Sequence, residues 1–135
     1  MKADGTKTAL STRAIAISAV PTSSIVRITT DDGTEGFGEV CPLGSTYLAS
    51  HAAGARAALS LLAPAVIGLD PTNLAAVNDA MDAALMGHEY AKSPVDVACW
   101  DVMGRALGTS VTTLLGGLRQ ETFPLYMAVP FGSPR

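Results

Sequence analysis

The sequence predicts an α+β domain in which a three-stranded antiparallel meander precedes a bundle of three to four helices. Three observations support this prediction. β-branched residues cluster in short segments near the start, a tight-turn dipeptide separates two of those segments, and apolar residues recur at helical spacing through most of the remainder. With 135 residues the chain has room for one domain of ordinary size. Hydrophobic residues make up 48% and charged residues 16%, a balance typical of a chain that folds.

The predicted strands are short and rich in β-branched residues or glycine. They cover residues 12–19, 24–30 and 35–39. The dipeptide Asp32-Gly33 is a strong tight-turn signal, so the second and third strands are expected to form a hairpin. Glycine normally weakens a strand, and Gly36 and Gly38 therefore indicate that the third strand approaches a neighbouring layer closely.

The predicted helices follow from apolar residues spaced three or four apart, and a short helical turn comes after them. They cover residues 48–63, 73–86, 94–107 and 110–115. Ser93 is expected to cap the third helix, because Pro94 suits a first helical position and Asp96 would place a carboxylate beside the exposed amides. Gly108 is a typical signal for the end of that helix.

Side chains on the third helix predict how it packs. Cys99 is interpreted as small core filling, and Trp100 is expected to anchor the helix against the sheet or a neighbouring domain. Asp101 and Arg105 are four residues apart and can form an ion pair on the helix surface.

Charge and cysteine content exclude several classes of function. A formal net charge of −3 gives no basic surface for nucleic acid. Cys41, Cys99, His51 and His88 are too few and too far apart for a structural zinc site, and the two histidines are interpreted as surface or interhelix polar groups. Two reduced thiols, and no apolar run of about 18–20 residues, predict a cytoplasmic protein that does not span a membrane.

Acidic residues near the tight turn resemble a cation site at first sight. They are Asp31, Asp32, Glu35 and Glu39. Their spacing fits no calcium-binding loop, so we interpret them as a solvated turn plus one structural glutamate, Glu39, that is not a catalyst.

Three motifs occur together in a fixed order along the chain. They are Gly36-Phe37-Gly38-Glu39, then Ala98, Trp100-Asp101 and Gly104, then Leu114-Leu115-Gly116-Gly117. Over residues 24–130 the chain resembles the N-terminal part of the enolase superfamily, in the mandelate racemase and muconate lactonizing enzyme branch. The resemblance implies a capping domain over residues 12–118. It also implies the start of a truncated (β/α) barrel over residues 119–135, with residues 122–129 as the first barrel strand.

The resemblance also implies where the chemistry lies. In this family the capping domain covers a barrel that removes a proton next to a carboxylate, and Mg²⁺ stabilises the resulting anion. A barrel needs about 250 residues, and the lysines of this chain are Lys2, Lys7 and Lys92, none of them on the final predicted strand. We therefore expect no catalytic residue, metal ligand, cofactor or turnover in this chain alone, with Mg²⁺ required by the complete enzyme. The implied partners are a barrel-bearing companion chain and further copies of this chain, with a small carboxylate bound only when a barrel is present.

The irregular stretch after the third strand matches a family loop that closes over the barrel mouth and selects the substrate. By this resemblance Cys41, Leu43 and Tyr47 contact substrate. Together with residues 87–101 the loop is similar to that of members acting on proline or hydroxyproline derivatives, such as hydroxyproline betaine epimerases and cis-3-hydroxyproline dehydratases. Tyr47 would then face a cyclic ammonium; alternatively, it packs on the first long helix. The family's other lid loop is long, whereas only residues 20–24 are present here.

Two further hypotheses remain open from the sequence. Residues 122–129 are apolar on both faces, so without barrel neighbours they would expose a strand edge through which a non-catalytic module could assemble. Alternatively, the loop from Cys41 to Tyr47 binds a small molecule independently.

Overall fold

The computed structural model describes residues 9–19, 23–42 and 51–127. Within these residues the chain forms one three-stranded antiparallel sheet followed by four helices, which confirms the predicted α+β class. The strands are β1 (Thr12–Ala19), β2 (Ser24–Thr30) and β3 (Glu35–Val40), and the helices are α1 (Ala52–Val66), α2 (Leu74–Ala84), α3 (Glu89–Leu107) and α4 (Val111–Leu114).

The sheet has β2 at its centre, with β1 and β3 on either side. Ile28 pairs with Ile15 of β1 and with Gly36 of β3, so the register is fixed across all three strands. The predicted tight turn joins β2 to β3: Gly33 has a φ of 89° and its amide donates to the carbonyl of Thr30 at 3.1 Å. A left-handed residue at this point is what glycine supplies without steric cost.

The core lies between one face of the sheet and the first three helices. Its fully buried side chains come from β2, α1, α2 and α3, and the largest are Val26, Ile28, Leu59, Leu62, Val77, Met81, Val95 and Val102. Alternation along β2 directs Val26 and Ile28 to this face, while Arg27 between them is exposed. The predicted periodicity of the first two helices is therefore confirmed.

The first helix differs from the prediction at both described ends. It begins at Ala52, where His51 is the N-cap and its Nδ1 accepts a hydrogen bond from the amide of Gly54 at 3.3 Å. It continues through Pro64 and ends at Val66, just before Gly68. Pro64 lies in the last turn, where packing of Val66 in the core outweighs the loss of one amide donor.

The start of the third helix was predicted wrongly. Helix α3 begins at Glu89, and its N-cap is His88 in a left-handed conformation with a φ of 58°. Ser93 and Pro94 lie inside the helix, so Ser93 is not the cap. The amides of Ala91 and Lys92 both donate to the carbonyl of His88, which closes the first turn without a serine cap. The predicted end is confirmed, because Gly108 is the C-cap with a φ of 64°.

The segment after α4 also departs from the prediction. Residues 122–127 form no strand, whereas residues 128 and 129 lie outside the described part of the chain. A strand requires a hydrogen-bonded neighbour, and no described segment pairs with these residues. Their apolar side chains are accordingly solvent-exposed, with Tyr126 at 91% of its full accessibility. The short helix over residues 111–114 is confirmed.

None of the helices in the described part of the chain is both long enough and apolar enough to cross a bilayer.

Candidate functional site

The carboxyl end of β3 leads into the stretch that the sequence singled out for substrate contact. Cys41 follows β3 directly and is exposed. Leu43 and Tyr47, the other two predicted contact residues, lie outside the described residues. Their proposed contacts therefore stay predictions.

A cavity of about 340 Å³ lies where β3 ends and α3 begins. The described residues that line it are Glu39, Val40, Cys41, Glu89, Tyr90 and Ser93. Sequence reasoning assigned no role to Glu89 or Tyr90, because it placed the start of α3 five residues too late. The early start is what brings these two side chains to the end of β3. Chemically, the lining offers two carboxylates, a phenol and a thiol to a ligand with hydrogen-bond donors or positive charge.

The path of β3 is fixed by close packing of its backbone against α3. A Cβ atom at Gly36 would meet the carbonyl oxygen of Ala98 and lie 2.7 Å from the amide nitrogen of Val102. A Cβ atom at Gly38 would meet the carbonyl oxygen of Pro94. Neither position has room for any side chain, which confirms the close approach that the two glycines predicted. Cys41, the first residue of the loop that the sequence predicts to contact substrate, thus follows a strand that lies directly on the helix.

Asp101 joins α3 to β3 by a second interaction. Its Oδ2 accepts a hydrogen bond from the amide of Phe37 at 3.0 Å, and its Oδ1 accepts one from Nε of Arg105, also at 3.0 Å. The guanidinium of Arg105 lies over the ring of Phe37, 5.9 Å from its centroid. The predicted Asp101–Arg105 pair is confirmed. Sequence spacing within one helix gave no sign of the bond to Phe37, which is 64 residues away.

The first turns of α3 are held against α2 by partly buried polar contacts. The ammonium of Lys92, only 5% exposed, donates to Asp82 at 2.6 Å, and Glu89 lies 3.9 Å from it. One turn further along α3, and one turn back along α2, the side-chain amide of Asn78 donates to Asp96 at 2.9 Å. Asp96 therefore binds a side chain of α2 and not the first-turn amides to which the sequence assigned it. These contacts position the wall of the cavity that carries Glu89 and Tyr90.

The two cysteines have opposite environments. Cys41 is exposed beside the cavity, whereas Cys99 is a free cysteine with no exposed surface. Burial, and then the charges of Asp96 and Asp70, raise the pKa of the Cys99 thiol to about 12. Cys99 is thus a protonated core residue at neutral pH, as the sequence predicted, and it is a poor nucleophile.

Asp32 and Glu35, two of the acidic residues near the tight turn, have local partners. The hydroxyl of Thr30 donates to Asp32 at 2.6 Å and the amide of Thr34 donates to it at 2.9 Å. These hydrogen bonds, the one from Thr30 most strongly, lower the pKa of Asp32. Glu35 pairs with Arg27 at 3.4 Å. Asp32 and Glu35 therefore have partners within the hairpin, and the role of Glu39 as a structural glutamate stays a prediction.

A larger cavity of about 590 Å³ lies on the other side of the molecule. It is lined by Ala9, Leu10, Asp32, Asp70, Thr72, Met103 and Leu107. Its two carboxylates are already occupied: Asp32 is bound as described above, and Asp70 accepts bonds from the amide and hydroxyl of Thr72 at 2.8 and 2.7 Å. Among the described residues that line this cavity, both carboxylates thus already accept hydrogen bonds.

A Mg²⁺ site in this chain would need several oxygen ligands grouped around one point. Across residues 9–19, 23–42 and 51–127, no three histidine, cysteine, aspartate or glutamate side chains are grouped closely enough to hold a metal ion. Mg²⁺ takes oxygen ligands in a nearly octahedral arrangement. The described residues of this chain do not meet that requirement.

Comparison with known proteins places this fold and its motifs in one family. The family described as mandelate racemase / muconate lactonizing enzyme, N-terminal domain, matches residues 4–116. A cis-3-hydroxy-L-proline dehydratase from Roseibium aggregatum is 52% identical over 112 residues, which are 83% of this chain and 30% of that protein. The chain thus spans less than a third of the length of this curated relative.

Solved structures give the same result. A mandelate racemase/muconate lactonizing enzyme from Roseovarius nubinhibens superposes with a TM-score of 0.78 at 36% identity, covering 92% of this chain and 37% of that one. A member of the enolase superfamily from the same organism, complexed with magnesium, superposes with a TM-score of 0.68 at 43% identity, covering 80% of this chain and 32% of that one. The chain therefore belongs to the mandelate racemase/muconate lactonizing enzyme family of the enolase superfamily, whose N-terminal domain it contains.

Proposed function

We propose that this chain is the substrate-capping domain of a Mg²⁺-dependent enolase-superfamily enzyme that removes a proton next to a carboxylate, and that its substrates are proline or hydroxyproline derivatives. The observation that carries the proposal is the 52% identity to a cis-3-hydroxy-L-proline dehydratase over 83% of this chain. A second solved relative holds magnesium. A cytoplasmic location, self-association and the domain bounds 12–118 and 119–135 are parts of the same proposal.

The cavity at the end of β3 supports a capping role. Capping domains select substrates through loops on a rigid scaffold, and here the loop that starts at Cys41 follows a strand held on α3 by Gly36, Gly38 and Asp101. The groups beside it, Glu39 and Tyr90, suit a substrate that carries a positive charge. Tyr47 remains the proposed contact for the ring ammonium, with Leu43 and Cys41 lining its approach.

The chain alone is expected to have no turnover. A carbon acid loses its proton readily only when a base and a cation that stabilises the anion are held together. In this proposal both belong to the barrel, which a family-length protein or a companion chain supplies.

A chimera tests the proposal. Residues 4–116 replace the matching segment of the Roseibium aggregatum dehydratase, and dehydration of cis-3-hydroxy-L-proline is assayed with Mg²⁺. We expect the chimera to retain activity, while the isolated chain and the dehydratase lacking this segment are inactive. Activity of the isolated chain would refute the proposal that the base and the metal ion belong to the barrel. A folded chimera that accepts another amino-acid derivative but not this substrate would refute the substrate assignment.

The hypothesis of a non-catalytic module is favoured by one observation. Phe123, Leu125, Tyr126 and Met127 are all strongly exposed. Assembly would then use this segment, although it forms no strand over residues 122–127. Sedimentation of the wild-type chain against a Leu125→Ser/Tyr126→Ser double variant tests it, because assembly through the segment predicts that only the wild type forms dimers or larger species.

A further inference from the structure

Lys92 is a buried cation that has no part in the chemistry proposed above. It lies on α3 and is 5% exposed, and its ammonium donates to Asp82 of α2 at 2.6 Å and lies 3.9 Å from Glu89. Burying an ammonium is costly even when the charge is paired, and an apolar side chain of similar volume often stabilises a core equally well. A lysine at this position therefore indicates a role other than stability.

The ion pair is asymmetric in its exposure to solvent. The side chain of Lys92 is 7% exposed, whereas those of Asp82 and Glu89 are 69% and 82% exposed. Loss of Lys92 would leave two carboxylates in water, where they are well solvated. Loss of Asp82 would instead leave a buried ammonium without its closest partner, which is strongly destabilising. A substitution at Lys92 can therefore break the link between α2 and α3 without leaving an unpaired charge in the core.

The first turn of α3 has no side-chain cap. Its N-cap residue, His88, makes no capping hydrogen bond through its side chain. Ala91 is buried but brings only one methyl group to the core, and the close contact of α3 with Gly38 of β3 lies after this turn, at Pro94. Helix ends fray when their exposed backbone groups are not held. Lys92 therefore supplies the directed contact that holds this turn on α2.

The first turn carries two of the side chains that line the cavity at the end of β3. They are Glu89 and Tyr90. Tyr90 is 38% exposed, so part of its ring can contact a ligand. An aromatic ring attracts a cation only when the cation lies over its face, within about 6 Å of its centre. Movement of this turn would therefore weaken such a contact while the rest of the domain stays folded.

We propose that Tyr90 is a specificity-determining residue for the positively charged part of the substrate, and that Lys92 is the positioning residue that holds Tyr90 in place through Asp82. This inference rests on the proposed function. It adds a contact from α3 to those expected from the loop after β3. It also assigns the buried ion pair to substrate affinity, and not to stability or to the chemical step.

One substitution and a matched control test the positioning role. Lys92→Met removes the charge and keeps an unbranched side chain of similar length. Arg105→Met is the control, because Arg105 is also a cation of α3 in an ion pair with an aspartate, and it does not line the cavity. Both are made in the isolated chain and in the dehydratase chimera described above.

Amide hydrogen exchange in the isolated chain shows whether the turn is released. The amide of Ala91 donates to the carbonyl of His88 at 2.8 Å within this turn, whereas Val102 lies in the core further along α3. Lys92→Met should speed exchange at Ala91 by about tenfold or more and exchange at Val102 by less than about twofold, because only the first turn opens. Arg105→Met should leave exchange at Ala91 within about twofold of the wild type.

Kinetics of the chimera show whether the position of the turn matters to the substrate. Lys92→Met and Tyr90→Ala should each raise KM for cis-3-hydroxy-L-proline by about tenfold and change kcat by less than about twofold, since both remove binding that is equal in the ground and transition states. The double variant should raise KM no more than Tyr90→Ala alone, because Lys92 acts through Tyr90. Arg105→Met should leave both constants within about twofold.

Four results would overturn the inference. They are a Lys92→Met chain that does not fold, exchange that rises as much at Val102 as at Ala91, exchange at Ala91 that does not rise, and effects on KM that multiply in the double variant. The first two would assign the ion pair to stability. An inactive but folded chimera without these substitutions would refute the proposed function, and the role of Tyr90 with it. Faster exchange at Ala91 would then still retain Lys92 as the residue that positions this turn.

Discussion

The two faces of α3 both carry apolar side chains, and the surroundings of those side chains differ. On one face Val95, Ala98 and Val102 are at most 1% exposed, packed under the sheet and the other helices. On the other face Val97 and Leu107 are 47% and 55% exposed. Burial of a valine contributes about 1.5–3 kcal/mol, so the apolar side chains of the first face contribute more to the stability of this chain than those of the second. The comparison shows that an apolar side chain on a helix can be buried, but that it is buried only where another part of the protein packs against it.

The buried face owes its contacts to two positions without side chains. Gly36 and Gly38 let the backbone of β3 lie directly on Ala98 and Pro94. Among the described residues, no strand packs on the exposed face of α3 as β3 packs on the buried face. Substitutions on the two faces are therefore expected to change the free energy of unfolding by different amounts.

The largest effect is expected for Gly38→Ala. The new methyl group would overlap the carbonyl of Pro94, so strand and helix must separate, and the free energy of unfolding should fall by about 3 kcal/mol. Gly54→Ala is the control, because no atom lies within 4 Å of a Cβ at this position in α1. It should raise stability by about 0.5–1 kcal/mol through helix propensity. Urea denaturation measures both, and similar values for the two would contradict the close packing.

A moderate effect is expected for Asp101→Ala. It removes the acceptor of the Phe37 amide and should lower the free energy of unfolding by about 2 kcal/mol. Arg105→Ala removes only the exposed partner of Asp101 and should cost less than about 1 kcal/mol. If the two substitutions cost the same in urea denaturation, the ion pair on the helix surface, and not the link to β3, is what matters.

The next predicted effect is a pH dependence of stability that is caused by Cys99 on the buried face of α3. The pKa of Cys99 is raised to about 12 in the folded chain from an ordinary value of 9.0. Below pH 9 both states keep the proton. Between pH 9 and 12 only the unfolded state loses it, so the free energy of unfolding should fall by about 1 kcal/mol per pH unit.

The control for this prediction is Cys99→Ala. The variant should be less stable at pH 7, because a small cavity replaces the sulfur, and its stability should decline less steeply above pH 9 than that of the wild type. Identical alkaline slopes for the two proteins would show that another group is responsible.

The smallest effect is expected beyond α4. Leu125→Ser and Tyr126→Ser alter side chains that are 87% and 91% exposed, so each should change the free energy of unfolding by less than about 0.5 kcal/mol. Denaturation at low protein concentration measures this without interference from self-association. A loss above 1 kcal/mol would mean that this segment packs on the domain in solution.

Local signals were sufficient wherever neighbouring residues decide the structure. The turn at Asp32-Gly33, the periodicity of α2 and the end of α3 at Gly108 were all predicted, because each depends on backbone conformations or apolar spacing within a few residues. The same signals misplaced the start of α3. Ser93 and Pro94 form a good local start, but packing of Pro94 against β3 and burial of Lys92 outweigh it.

The candidate site was predicted only in part for a similar reason. Cys41 was proposed to contact substrate because the loop that follows β3 resembles a family loop, and its exposed position beside the cavity leaves that contact a prediction. Tyr90 and Glu89 were missed because their position at the cavity depends on the extra turn of α3. The bond from Phe37 to Asp101 joins residues 64 apart, a distance at which no periodicity carries information.

The sequence by itself determined the α+β class, the order of the elements, the family motifs and the closeness of β3 to its neighbour, because periodicity and glycine placement act locally. Only the tertiary structure decided which face of α3 is covered, which acid binds which amide, and that residues 122–127 form no strand. Those outcomes depend on partners brought together across the fold, and apolar residues bury themselves only where such a partner exists.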